Sequence, residues 1–170
     1  MERYRKYWTA AAFFFALTVL CSLSGCGQKD PPAVGAEAPE FTLSDLRGEK
    51  IAVPDDFIGK MVVIRFWVDS CKSCEKEMPE IDYLYKKYKD RGLVVLAVNV
   101  GQSRDAAAAF ITKLKISYPA LLDTNSATAE RYGVKAVPFT FVIDRKGIIR
   151  KRILGETERE SFEKIIRDLL

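Results

Sequence analysis

No histidine occurs in this chain of 170 residues. Its absence removes His-ligated metal sites and every Ser-His or Cys-His catalytic pair, so proton transfer falls to carboxylates, lysines, thiols or water. Cysteine is scarce as well: Cys21, Cys26, Cys71 and Cys74 are the only four, with a single Cys-x-x-Cys spacing. A structural zinc site needs four ligands, and neither a histidine nor a second cysteine pair supplies the missing two. Any excess of one charge sign is also small, with 27 Lys and Arg against 23 Asp and Glu. The formal net charge is +4, and Arg3, Arg5 and Lys6 near the start account for part of it, which gives no nucleic-acid-binding surface. The apolar run from Trp8 to Leu20 falls short of the roughly 20 residues that a membrane span needs. What remains is enough sequence, 48% of it hydrophobic, for one domain with a substantial core, but too little for two ordinary ones.

Against that background stands Phe66-Trp67-Val68-Asp69-Ser70-Cys71-Lys72-Ser73-Cys74, where an apolar run breaks into a Cys-x-x-Cys and then a helical pattern. Two cysteines three apart lie on one face of a helix. The first sits where unpaired backbone N–H groups and the helix dipole favour a thiolate. This arrangement makes Cys71 the attacking sulfur and Cys74 the resolving one. A structural disulfide is the competing reading.

The N-terminus reads as an address. Basic residues precede an apolar stretch with the proportions of a secretory leader, and Leu23-Ser24-Gly25-Cys26 resembles the bacterial lipobox. On that reading residues 1–25 are a signal peptide and Cys26 is the lipidated new N-terminus. Residues 26–36, with Asp30-Pro31-Pro32 and no apolar periodicity, form a tether, and 37–170 make up the domain. An uncleaved signal anchor or an ordinary signal peptide is the alternative. Either way the domain lies outside the cytoplasm, where disulfides persist and a dithiol needs a reducing partner.

Within the domain, Phe41 to Val53 suggests a short hairpin around Asp45 to Lys50. Met61 to Val68 and Leu93 to Val100 are near-continuous apolar runs, as expected of central strands covered on both faces. They bracket a helix from Cys71 to Lys89, bent at Pro79, with Ile81, Leu84, Tyr85 and Tyr88 facing inward. The result is a βαβ unit that places the dithiol at the carboxyl edge of its first strand. An alanine-rich helix over 103–115, an extended piece near Tyr118 to Leu122, and a helix over 125–132 closed by Gly133 follow. A hairpin turning at Asp144-Arg145-Lys146-Gly147 comes next. The last helix is expected to open with a Thr157-x-x-Glu160 capping box and to bury Phe162, Ile165, Ile166 and Leu169.

This order, with Val137-Pro138 before the second hairpin, resembles the thioredoxin fold, an α/β architecture with a central mixed sheet flanked by helices. The helix and strand between Val100 and Asn125 resemble the insertion of its TlpA/ResA branch. So do Val98-Asn99-Val100-Gly101, Leu122-Asp123-Thr124, Tyr132-Gly133-Val134 and Phe141-Val142-Ile143-Asp144. The resemblance implies a membrane-tethered, extracytoplasmic thiol-disulfide oxidoreductase, monomeric and without a cofactor. It also implies client protein disulfides, such as those of apocytochrome c, and a membrane thiol-transfer electron donor. It makes Glu77 a proton-handling residue and Val137-Pro138 the family's cis-proline, a backbone edge for substrate beside Ser70. Asn99 and Asp123 either orient the site or cap strand ends.

The chain departs from the family at four places. Ser70 replaces the usual tryptophan, Lys72-Ser73 replaces Gly-Pro or Glu-Pro between the cysteines, and Arg65 stands where thioredoxin keeps a buried acid. A disulfide-forming oxidase runs the same chemistry in reverse. A thiol peroxidase would want proline and a hydroxyl at Ile64 and Val68, and a non-catalytic lipoprotein would use the disulfide as a staple.

Overall fold

The structure is a computed structural model, described here for residues 30–170. The lipobox, Cys26 and the apolar leader lie outside the described residues. Eleven regular elements follow one another: β1 (Phe41–Asp45), β2 (Lys50–Val53), β3 (Met61–Trp67), α1 (Lys72–Tyr88), β4 (Leu93–Val100), α2 (Arg104–Leu114), β5 (Ala120–Asp123), α3 (Ala127–Arg131), β6 (Phe139–Ile143), β7 (Ile149–Leu154) and α4 (Arg159–Leu169). Among the described residues no helix is long and apolar enough to cross a membrane.

The strands form one mixed sheet in the order β2-β1-β5-β4-β3-β6-β7. The three central strands β5, β4 and β3 are parallel to one another, while β6 pairs antiparallel with β3 and β7, and β1 pairs antiparallel with β5 and β2. All seven residues of β3 are buried, because alternate side chains enter two separate cores. Met61, Val63 and Trp67 pack under α1, α2 and α4, and Val62, Ile64 and Phe66 pack on the other side with Phe41, Ala129, Tyr132 and Phe141. The sheet's alternation therefore explains why the sequence shows an apolar run broken only by Arg65, and no alternating polar face.

Local signals act as expected in most places. Asp144 organises the β6–β7 turn: its Oδ1 accepts from the backbone N–H of Lys146 at 2.8 Å and of Ile148 at 3.0 Å, as aspartate does in tight turns. Helix α1 runs through Pro79, whose ring is exposed, without interruption. Its partly buried Tyr85 meets Tyr118 edge-on, with ring centroids 5.9 Å apart.

One expectation needs correction. The capping box does not form. Helix α4 begins at Arg159 with Glu158 as N-cap and no side-chain cap, because the Thr157 N–H donates instead to Glu77 Oε1 at 2.5 Å. A buried carboxylate in need of partners outcompetes a local cap for that donor. The N-terminal segment also touches the sheet: Arg152 Nη1 donates to the Pro31 carbonyl at 2.9 Å. Gly133 (φ +63°) accepts Pro31 against it where a Cβ would lie 2.4 Å from the Pro31 nitrogen.

Charged pairs fasten α4 and the loop before it across α1. Lys76 meets Glu156 at 3.1 Å, Glu80 meets Arg159 at 3.0 Å, and Lys87 meets Glu163 at 2.7 Å. Buried Asp82 bridges α1 to the segment before β5, accepting from the Ser117 N–H and hydroxyl, both at 2.7 Å, and from Lys86 at 2.5 Å. Burial works against the Asp82 carboxylate, but Lys86 and Ser117 outweigh it and hold its pKa below the ordinary 3.8. Asp45 and Asp144 are lowered in the same way. Because the folded carboxylates resist protonation more than the unfolded ones, their stabilisation is complete above the ordinary value and is lost as pH falls through the folded values. Urea denaturation is thus expected to give constant stability between about pH 5 and 7 and a steep fall below about pH 4. Asp82→Asn should lower stability at neutral pH by about 1–2 kcal/mol and shallow the acid slope.

Candidate active site

The dithiol sits where β3 ends and α1 begins. Strand β3 leaves the sheet after Trp67, which is fully buried and stacks on Phe110 of α2 with centroids 4.9 Å apart. The chain then turns, with the Cys71 N–H donating to the Val68 carbonyl at 3.2 Å. Cys71 is the N-cap of α1, and its Sγ accepts from the Cys74 N–H at 3.1 Å. A helix N-terminus presents such unpaired N–H groups and the positive end of the helix dipole, so this sulfur is where negative charge is best tolerated.

Cys71 and Cys74 are joined as a disulfide with Cα atoms 5.2 Å apart. Their exposure differs: Cys71 is partly accessible and Cys74 is wholly buried. Only one of the two sulfurs can meet another protein.

Polar side chains fix the loop before the dithiol. Gln102, between β4 and α2, accepts from the Asp69 N–H at 2.9 Å and from Asn99 Nδ2 at 2.8 Å, and its Nε2 donates to Asp69 Oδ1 at 2.6 Å. Asn99 thus orients the site through Gln102. Asp123 does not; its carboxylate caps α3, accepting from the Thr128 N–H at 3.1 Å and the Ala129 N–H at 2.8 Å. Ser70 is exposed and lines an open groove with Asp69, Ala106, Ala109, Phe110 and Lys113.

The Val137-Pro138 peptide bond is cis. Pro138 is buried and Val137 half-buried. Because Phe139 of β6 pairs antiparallel with Phe66 of β3, Pro138 lies level with Trp67, at the same sheet edge as the start of α1. Its carbonyl accepts from the Gly155 N–H at 2.9 Å.

Glu77 lies neither in solvent nor free. It is 7% exposed, ion-paired with Arg65 of β3, and accepts from the Thr157 N–H. Arg65 is 2% exposed and also donates to Thr140 Oγ1 at 3.0 Å. The three line the floor of a cleft of about 370 Å³ between α1 and α4, walled by Glu80, Glu156 and Phe162. The Ser73 hydroxyl and the Lys76 ammonium beside Glu156 hold its carboxyl below the usual range, and Glu75 is taken by Lys113 at 2.5 Å. Three participants had escaped the sequence reading: Arg65 as the partner of Glu77, Gln102 and Glu156. A lone basic residue inside an otherwise apolar strand was the available signal for the first; the other two come from loops distant in sequence and gave none.

A mixed sheet with a Cys-x-x-Cys at the head of its first crossover helix, beside a cis-proline, defines a thioredoxin-fold thiol-disulfide oxidoreductase. The AhpC/TSA family model matches residues 34–152. The thiol-disulfide oxidoreductase ResA of Bacillus cereus is 33% identical over 165 residues, 91% of this chain and 95% of that one. ResA of Bacillus subtilis is 36% identical over 134 residues, 79% and 74% of the two chains. Among solved structures, StoA from Bacillus subtilis superposes with a TM-score of 0.65 at 26% identity, covering 78% of this chain and 98% of that one. The thioredoxin domain of a thiol-disulfide oxidoreductase from Bacteroides vulgatus gives 0.71 at 25% identity, covering 81% and 97%. The chain belongs to the AhpC/TSA family and, within it, to the ResA thiol-disulfide oxidoreductases.

The difference in exposure gives a direct expectation. In the reduced, folded protein iodoacetamide should modify Cys71 and spare Cys74 by at least about tenfold in rate, since access limits thiol reactions. Peptide mass mapping after a short pulse reads both sites; equal labelling would contradict the buried position of Cys74.

Proposed function

We propose that the protein is an extracytoplasmic, lipid-anchored reductase of client-protein disulfides, working through Cys71 and Cys74. The observation that carries this reading is the accessible sulfur at the helix N-cap backed by a buried one. Reduced Cys71, as thiolate, attacks one sulfur of a client disulfide. A Cys71–client disulfide forms and the client's other sulfur leaves as thiolate, taking up a proton. Cys74 then attacks Cys71, releasing the client as a dithiol and leaving the Cys71–Cys74 disulfide. Two electrons have passed to the client, and a membrane thiol donor returns them. Val137, Pro138 and Ser70 offer the surface against which the client chain lies, and Glu77, one turn beyond Cys74, manages charge beside the reacting sulfurs.

The ResA resemblance makes apocytochrome c, whose paired cysteines must be reduced before they take haem, the leading client. The lipobox-like Leu23-Ser24-Gly25-Cys26 supports anchoring through Cys26, which would hold the domain close to a membrane donor. The domain acts as a monomer.

Cys74→Ser removes the resolving sulfur, so the full-length variant should accumulate mixed disulfides through Cys71 that dithiothreitol releases on non-reducing gels. Absence of any captured protein, or a wild-type dithiol found oxidised at rest in cells, would defeat the reductase reading. For the anchor, labelled fatty acid should enter the wild-type protein and be lost from Cys26→Ala; label retained in that variant would place the anchor elsewhere.

A further inference from the structure

Arg65 is a permanent cation in the middle of the most buried strand. Its guanidinium cannot give up its proton, so the core must supply an anion. Among the described residues the only carboxylate hydrogen-bonded to it is Glu77, through Nη2 and Oε2, while Thr140 Oγ1 takes Nη1. Glu77 follows Cys74 by one helical turn, a spacing that sets the two Cβ atoms about 5–6 Å apart.

Other charged or titratable groups face this pair. Lys76, Glu80 and Asp82 come from α1, Tyr118 from the segment before β5, Glu156 and Glu158 from the loop after β7, and Arg159 and Glu160 from α4. Most are engaged elsewhere: Lys76 with Glu156, Arg159 with Glu80 and Glu160, and Asp82 with Lys86. The Tyr118 hydroxyl donates to the Met78 carbonyl at 3.3 Å. The Arg65–Glu77 pair is therefore the buried charge nearest the dithiol along α1, and it is neutral only while both members are present.

Resting on the oxidoreductase reading above, we infer that Arg65 is a positioning residue for the thiol chemistry, acting through Glu77. It draws the carboxylate towards β3 and cancels its charge, so the Cys71–Cys74 couple operates beside a neutral pair. A bare carboxylate at that distance disfavours a thiolate, and a bare guanidinium favours one. The attacking species in exchange is the thiolate. Loss of Arg65 and loss of Glu77 therefore push the reduced protein in opposite directions, and loss of both returns it near its starting point.

The test uses reduced full-length protein and four variants: Arg65→Met, Glu77→Gln, the double variant, and Arg65→Lys. The pH dependence of iodoacetamide alkylation at Cys71 and the equilibrium against glutathione are both read, with folding checked by circular dichroism. Arg65→Met should shift the alkylation profile to higher pH and slow labelling at pH 7 by roughly three- to tenfold. Glu77→Gln should shift it to lower pH by a similar factor and make the disulfide easier to reduce. The double variant should fall within about twofold of wild type, and Arg65→Lys should lie between wild type and Arg65→Met.

Should Arg65→Met fail to fold, comparison of Glu77→Gln with the double variant, which buries no charge, carries the same test. Removing Arg65 in the Glu77→Gln background must then reverse the shift. Single variants that move together, or profiles that do not move while stability changes, would reduce Arg65 to a structural role. Turnover of an insulin disulfide by wild-type protein is followed alongside. Its failure would count against the oxidoreductase reading, whereas the thiol profile decides the role of Arg65.

Discussion

A buried guanidinium must be neutralised within the fold, and that constraint holds this molecule together around its reactive end. Arg65 occupies a strand whose other six residues are apolar, and transfer of a lone charge to such surroundings is prohibitive. Its neutralisation by Glu77 fixes the rotation of α1 over the sheet. The second oxygen of Glu77 then takes the Thr157 N–H, which fixes the approach of α4. Removing one member of a buried pair typically costs about 3–5 kcal/mol, more than surface pairs of the Lys76–Glu156 kind contribute. One side chain of β3 thus positions the dithiol helix, the C-terminal helix and the cleft between them.

The dithiol benefits from this rigidity in two ways. Cys71 takes the N-cap position because the chain turns back at Val68 and because Gln102 ties Asp69 to the β4–α2 loop. Cys74 is buried because α1 is pressed onto β3 by Met78, Ile81 and Leu84 on the same core face. The charges around the motif compensate locally: Lys113 meets Glu75, and Lys76 with Ser73 meets Glu156. The acids nearest the Lys-Ser pair between the cysteines thus have basic partners of their own.

Much of the fold was legible from the chain. Apolar runs of seven or eight residues flanking a helical period mark β3, α1 and β4, and a parallel crossover leaves few arrangements for them. The turn at Asp144 to Gly147 was legible because aspartate and glycine carry local instructions. The Thr157-x-x-Glu160 box misled for a related reason: a cap is a local preference of about 1 kcal/mol, and a buried carboxylate from a helix 80 residues away competed for the same N–H. The attachment of Pro31 to β7 was hidden because it depends on Arg152 and on the space that Gly133 leaves.

The sequence by itself determined the chemistry available to this protein. The lack of histidine removed His-ligated metal sites and Ser-His or Cys-His pairs, and one Cys-x-x-Cys at the start of a helix pointed to dithiol–disulfide exchange. Tertiary structure alone decided the environment of that chemistry. It joined Glu77 to Arg65 across the core, set Pro138 level with the end of β3, and gave Asn99 and Asp123 different tasks although either could have served the site. The reason is physical: local periodicity and capping act over a few residues, whereas charge neutralisation and packing in a buried core are settled between elements that meet only after the chain has folded.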